Sequence, residues 1–502
     1  MNIEAEQLVA EYFATGTLSG LPDRHFIDGA WHASMFGDRM ESFDPGLGRA
    51  FHDFAAGGKP ETDAAVEAAS RAMKGAWGQM TPSARGSLLM RVAGLIRENA
   101  PRLAVVESLD VGKPLQEAEG DVAGAARCFE YYAGAADKME GASLPFGRDH
   151  IGFTVNEPVG VTAHIVPWNY PISTLARSIA PALAAGCTAV VKPAEQTPLT
   201  ALMLAEILQQ AGVPNGVVNV VLGTGASAGA ALVANPGIRH ITFTGSVDTG
   251  IAVMRAAANN VASVVLELGG KSPAVVLADA DLDRAADDII GAIFENAGQI
   301  CSAGSRLVVE RPAHAELVGK LVERAGRLAI GHGLRRPRLG PVNSHQHLLK
   351  IASYADGAKS RGIALATGGN ACIDPASGAG WFFQPTIFDA VPADDALIQE
   401  EIFGPVLAVQ VADDADHAVA LANGTQFGLV AGIYTSDFAA AHRMARDIDA
   451  GQIFVNEYFT GGILAPFGGN KKSGIGREKG IQALRNYCKV KTITARIAGH
   501  DR

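Results

Sequence analysis

Cysteine is scarce. The 502-residue chain has five, Cys128, Cys187, Cys301, Cys372 and Cys488, none spaced as CxxC. That is too few for a disulfide framework, and the odd number leaves at least one free thiol. Long apolar runs are missing too. The longest largely apolar stretch covers residues 179–191, too short to cross a bilayer. Positive charge is outnumbered: 42 Lys and Arg stand against 52 Asp and Glu, net −10, with no basic stripe. Nucleic acids and anionic membranes demand clustered cations, so neither is expected as a partner. The opening MNIEAEQLVAEYFATG lacks the basic and apolar regions of a signal peptide. A soluble protein of a reducing compartment, the cytoplasm, is the expectation. The HQH at 345–347 has no third ligand at zinc spacing; it reads as a surface loop, and no metal is expected.

What is present is core material. Apolar types make up 48% of the chain and charged types 19%, and glycine is abundant at 58 residues. The length suggests about three domains. From Val161 onward short β-rich runs, VTAHIV, CTAVVK, VVNVVL, RHITF and SVVLE, alternate with helical stretches near 172–185, 198–211, 226–234 and 247–258. Such alternation predicts a parallel, doubly wound α/β sheet. A second alternation follows, with strands expected at 274–278, 306–310, 406–411, 429–434 and 452–455, and helices near 282–297, 313–328, 415–422 and 438–449. The Ala-rich region before Tyr131 reads as helical. The tail VKTITARIA (490–498) alternates like an edge strand, which needs a partner.

Several segments carry chemistry. ENAGQICSAGSR (295–306) places Cys301 among small residues. A thiolate is a strong nucleophile, though taken alone a free cysteine is more often inert and buried. LELGGKSP (266–273) ends a strand with Glu267, where α/β ligands bind and where a general base could sit; a capping or salt-bridging glutamate is the alternative. PWNYP (167–171) presents the Asn169 amide, either an oxyanion donor or simply a turn former. VVKPAEQTP sets Lys192 and Glu195 after a strand, where an adenine ribose rests in nucleotide-binding sheets. A carboxylate there would repel a 2′-phosphate, which favours NAD over NADP. GTGASAG (223–229) is a weak fingerprint, because its spacing departs from GxGxxG. In FTGSVDTG (243–250) Ser246 starts a helix, as an N-cap or a phosphate seat.

Together these segments resemble the aldehyde dehydrogenase superfamily. PWNYP, KPAEQTP, FTGS, LELGGKSP, GQICSAGSR, EEIFGPV and PFGGNKKSGIGRE occur in its order and spacing, across about Phe26 to Ile497. The resemblance implies an α/β fold with a Rossmann-like cofactor domain (1–137 and 156–265), a second α/β catalytic domain (266–480), and a small β oligomerisation arm (138–155 and 481–502). It implies Cys301 as nucleophile, Glu267 as general base and Asn169 as oxyanion donor, with NAD as cofactor. Lys192 and Glu195 match adenosine-ribose binders, Ser246 a pyrophosphate contact, and Glu400 and Phe403 the residues that position the nicotinamide ribose and ring. Ile165, Pro167, Trp168, Gly225, Gly229, Phe243, Gly245, Leu268 and Gly269 complete the implied cofactor site. The implied activity is oxidation of an aldehyde to its acid through a thioester on Cys301, by a homodimer or homotetramer.

The chain departs from the family at Arg177-Ser178, where many detoxifying members carry Trp-Lys; that Lys serves a proton relay with the Glu matching Glu478. Semialdehyde-oxidising members use such an Arg177 to grip a distal carboxylate, but carry a second Arg where this chain has Glu295. A buried Arg177–Glu295 pair would cancel the anion site. Gly461 replaces a tunnel aromatic. With Tyr170, Ile300, Ser302 and Phe467 alongside, a roomy tunnel for bulkier aliphatic or aromatic aldehydes is expected. A carboxylated aldehyde held by Arg177 is the alternative. A CoA-acylating relative is disfavoured by Glu267, and a silent binding protein by Cys301, Glu267 and Asn169 together.

Overall fold

The computed structural model describes residues 3–497. Its first sheet is built around five parallel strands in the spatial order Val218–Val220, Thr188–Lys192, Val161–Ile165, Ile238–Thr244, Ser263–Glu267. The chain runs outward from Val161–Ile165 in one direction, then returns to build the other half. The strand order therefore reverses between Val161–Ile165 and Ile238–Thr244, the switch point where open α/β sheets hold ligands. Crossover helices Pro171–Ala185, Leu199–Gln210 and Val247–Asn260 join these strands. The stretch near 226–234 is not one helix: a π-helical turn, Gly225–Gly229, precedes a short helix, Ala230–Ala234.

The second sheet has seven strands. Six are parallel, and Ala364–Thr367 lies antiparallel at one edge. The expected helix at 282–297 stops at Phe294 and tightens into a 3₁₀ turn, Glu295–Gly298. That stop points the chain toward Cys301.

The N-terminal region is less helical than its composition suggests. His25–Ile27 and Ala30–His32 extend the first sheet antiparallel, and Arg39–Asp44 pairs with Arg49–Ala55. His25–Ile27 and Ala30–His32, of three residues each, are too short to carry a periodicity. The long helices are there as well. Leu115–Ala135 packs against Pro82–Glu98 on one side and against Pro171–Ala185 on another. Phe129, Tyr132, Leu175 and Ile179 are fully buried in this helical layer, each contributing about 1.5–3 kcal/mol of apolar burial.

A third, three-stranded sheet stands apart. Cys488–Arg496 pairs antiparallel with His150–Pro158 along its full length, and Ser143–Leu144 pairs on the other side. This sheet runs to Pro158 rather than 155, and its returning strand begins at Cys488. The residues just before it, Gly480–Asn486, form a helix on Pro171–Ala185 instead. Gly474–Ile475 leaves the second α/β unit to join the first sheet beside Ser263–Glu267. Residues 498–502 of the expected arm lie outside the described residues, as do residues 1–2.

Candidate active site

A cleft of about 610 Å³ opens at the carboxyl ends of the first sheet's strands. Ile165, Pro167, Trp168, Lys192, Glu195, Gly225, Gly229, Phe243, Gly245, Ser246, Leu268, Gly269 and Phe403 all line it. Lys192 is buried, and its Nζ donates to the Pro193 carbonyl (2.8 Å) and to Glu195 Oε2 (3.1 Å). Ser246 caps the helix Val247–Asn260, its Oγ accepting from the Thr249 N–H at 3.4 Å. A Cβ at Gly225 would meet no protein atom within 4 Å, so the π-helical turn leaves open space at the cleft wall.

Glu400 does not line this cleft; Glu401 does. Glu400 is exposed and accepts the Tyr354 hydroxyl at 2.6 Å. Glu401 Oε1 accepts the Gly270 N–H at 2.9 Å, and burial pushes its carboxyl up to about 7. In a Glu-Glu pair the backbone after the helix Ala396–Gln399 decides which member turns inward, and residue type cannot. Gly269 is required beside it, because a Cβ there would come 2.3 Å from Glu401 Oε2.

The HQH segment is not a surface loop. It opens the helix His345–Ser360, and His347 lines the cleft, with its Nε2–H donating to the Phe403 carbonyl at 2.6 Å. Burial holds His347 down at about 4, so it is a neutral donor. Phe403 has φ 62°, a conformation that costs a bulky residue energy and that its surroundings must hold. Trp168 packs edge-on against Phe403, with ring centroids 5.3 Å apart.

A second pocket of about 220 Å³ is lined by Tyr170, Arg177, Glu295, Ile300, Ser302 and Phe467, together with Asp121, Gln452, Phe454, Phe459, Thr460 and Lys479. Gly461 is not among the lining residues. Its position within the loop is set by φ 124°, and a Cβ there would meet Ala465 rather than open space. Cys301 and Asn169 line both cavities. The thiol therefore stands at their junction.

Burial pushes the Cys301 thiol up to about 11, with Arg177 the largest opposing charge. Glu267 is 1% exposed at the end of its strand, and neither carboxylate oxygen has a hydrogen-bond partner. Burial, then the nearby Glu478, raises it well above the usual carboxylate range, while Arg177, Arg477 and Lys479 pull it down. Asn169 is buried, and one amide proton goes to the Gln299 carbonyl at 2.8 Å. An amide has two such protons, which leaves one to offer.

The Arg177–Glu295 pair does not form. Arg177 makes its ion pair with Glu478, which comes from the segment joining the second α/β unit to the helix Gly480–Asn486. Glu295 instead accepts the Tyr170 hydroxyl at 3.4 Å. Asp121 pairs with the buried Lys113, whose Nζ lies 3.7 Å from the Tyr170 ring centroid. Sequence reasoning missed Lys113, Asp121, His347, Glu401 and Lys479. The acidic spacing along 117–121 was a visible signal, but nothing in it shows that this helix face meets the pocket.

Among the described residues no group of three or more His, Cys, Asp or Glu is arranged to hold a metal ion, and no helix is long and apolar enough to cross a membrane.

A doubly wound dinucleotide-type sheet facing a second α/β unit, with a cysteine where their cavities meet, has many counterparts among known proteins. The profile of the aldehyde dehydrogenase family matches residues 31–493. Betaine aldehyde dehydrogenase of Bacillus subtilis is 40% identical over 474 residues, covering 93% of this chain and 96% of the relative. Hydroxyisobutyraldehyde dehydrogenase of Mycolicibacterium austroafricanum is 40% identical over 478 residues, covering 95% and 94%. Among solved structures, betaine aldehyde dehydrogenase of Staphylococcus aureus in complex with NAD+ superimposes with a TM-score of 0.95 at 35% identity, covering 99% of each chain. The NAD+ complex of aldehyde dehydrogenase from Bacillus cereus gives 0.93 at 38%, again covering 99% of each. The chain belongs to the aldehyde dehydrogenase family and has its fold.

Proposed function

We propose that the protein oxidises an aldehyde to the carboxylic acid with NAD, through a covalent thioester on Cys301. The observation that carries this reading is the position of Cys301, open to the large cleft on one side and to the smaller pocket on the other. The large cleft suits NAD: Glu195 beside Lys192 offers a carboxylate to ribose hydroxyls, and the open face at Gly225 leaves room for close approach of a ligand. The solved relatives named above hold NAD+. NAD, when bound, supplies the hydride acceptor.

The residues of the chain do the rest. The Cys301 thiolate attacks the aldehyde carbon from the junction of the cavities. The free Asn169 amide proton, and by resemblance the Cys301 backbone N–H, hold the developing oxyanion. Loss of hydride from this adduct leaves the thioester. Glu267 takes a proton from the water that hydrolyses it, so one difficult step becomes two easier ones. Cys301→Ala should abolish NADH formation across an aldehyde panel; full turnover in that variant would remove the thiol from the reaction. Glu195→Gln should narrow the preference for NAD over NADP, and an unchanged preference would mean that Glu195 does not face the 2′ position.

For substrate, the pocket favours a small, polar aldehyde over the bulkier aliphatic or aromatic ones the sequence suggested. Its volume of about 220 Å³ lies below the range for drug-sized ligands, and Ser302, Gln452, Thr460 and Glu295 put polar groups on its wall. A carboxylated aldehyde is disfavoured because Arg177, the cation that would grip its carboxylate, is already engaged by Glu478. Comparing kcat/KM for neutral hydroxylated, acidic and aromatic aldehydes tests this directly. Preference for the acidic ones would overturn it.

The division into cofactor, catalytic and arm units, and assembly through the three-stranded sheet, belong to the same proposal. All five cysteines are unpaired, which fits a reducing compartment such as the cytoplasm.

A further inference from the structure

Asn296, Ala297 and Gly298 take left-handed dihedrals in succession, with φ of 45°, 53° and 72°. Side-chain-bearing residues resist this conformation, so the run persists only where its surroundings hold it. The hold comes from a distant helix. Glu117, in the first turn of Leu115–Ala135, accepts the Asn296 backbone N–H on Oε2 at 2.9 Å. Asn296 then reaches the reaction centre, its Nδ2 donating to the Asn169 carbonyl at 3.1 Å. Gln299 closes the circuit: its carbonyl accepts the Asn169 amide, and its Nε2 donates back to the Asn296 carbonyl, both at 2.8 Å. Cys301 follows two residues later.

We propose that Glu117 is a positioning residue for the oxyanion donor: its carboxyl anchors the left-handed turn that ties Asn169 to the loop carrying Cys301. The inference rests on the reading of Cys301 as nucleophile. Glu117 touches neither cavity and acts through the turn. Burial, with Glu295 adding to it, pushes the Glu117 carboxyl up to about 8 while Lys113 opposes. An oxygen acceptor is present in either protonation state, so a glutamine can supply the same bond.

The test uses two probes that need no cofactor. With p-nitrophenyl acetate the Cys301 sulfur forms a bond to the ester carbonyl carbon, the C–O bond breaks and p-nitrophenolate leaves; the step passes through an oxyanion. Iodoacetamide alkylates the same sulfur by displacing iodide at a saturated carbon, with no oxyanion. Glu117→Leu should slow acylation about 10-fold or more, while alkylation of Cys301, followed on its own peptide by mass spectrometry, changes by less than about threefold. Glu117→Gln should restore acylation to within about twofold of the parent. Asn296→Gly keeps the backbone conformation accessible but loses the bond to Asn169. It should show the same selective loss, and it decides the matter if Glu117→Leu does not fold. Parent-like acylation in Glu117→Leu or in Asn296→Gly, parallel loss of both reactions, or a glutamine variant as slow as the leucine one would each overturn the proposal. A parent protein whose Cys301 ignores the ester would instead overturn the nucleophile reading, and this inference with it.

Discussion

The Cys301 thiol is kept neutral by its burial, and Arg177 is the main charge drawing it back toward the thiolate. The Glu267 carboxyl is likewise raised, by burial and by Glu478. In the proposed mechanism both groups act deprotonated, so the sign is the same for each: raising the pH supplies more thiolate and more carboxylate. Turnover should climb steadily between about pH 6 and 9, and a flat profile in single-turnover measurements would contradict the two roles. Glu267→Gln removes the proposed base but leaves the proposed nucleophile in place. It should give a normal burst of NADH followed by turnover slower by about 10²–10⁴-fold, with the acyl group retained on Cys301 and visible by intact mass. Loss of the burst itself would place Glu267 before the thioester rather than after it.

Among the helices and strands, the site depends on where regular structure stops. The helix Leu282–Phe294 ends seven residues before Cys301, and the 3₁₀ turn after it swings the chain through its left-handed run. Gly298 takes the last of these conformations against another backbone: a Cβ there would lie 2.2 Å from the Gly404 carbonyl oxygen. Gly298→Ala should therefore cost more than the roughly 1–3 kcal/mol of backbone strain alone, because rigid backbone cannot give way as a side chain can. Chemical denaturation would show a markedly lower midpoint. An unchanged midpoint would mean that the loop relaxes freely and that its contact with Gly404 is unimportant. The same contact links the Cys301 loop to Glu401 and Phe403 at the cleft.

Across the full protein, the open feature is the three-stranded sheet. Pairing of Phe153 with Ile493 and of Ile151 with Ala495 sets these side chains on one face, and Ile151, Phe153 and Ile493 are 50%, 39% and 38% exposed. An apolar strip of this kind on a long edge favours assembly. Phe153→Asp combined with Ile493→Asp should lower the mass seen by light scattering without unfolding the α/β units. An unchanged mass would show that this face is not an assembly interface.

The alternation of strands and helices from Val161 onward is legible in the residues alone, since a parallel sheet buried on both sides needs short β-rich runs separated by crossover helices. The seven motifs that mark the family are legible too, because those segments sit in turns where only particular residues fit. What depends on the path of the backbone had to come from the folded chain. Folding selects Glu401 over Glu400, turns His347 inward and pairs Arg177 with Glu478 rather than Glu295. It brings the helix Leu115–Ala135 to the turn before Cys301 and makes short strands of part of the N-terminal region. In each case the residue type permits several partners, and only the packing of distant segments selects one.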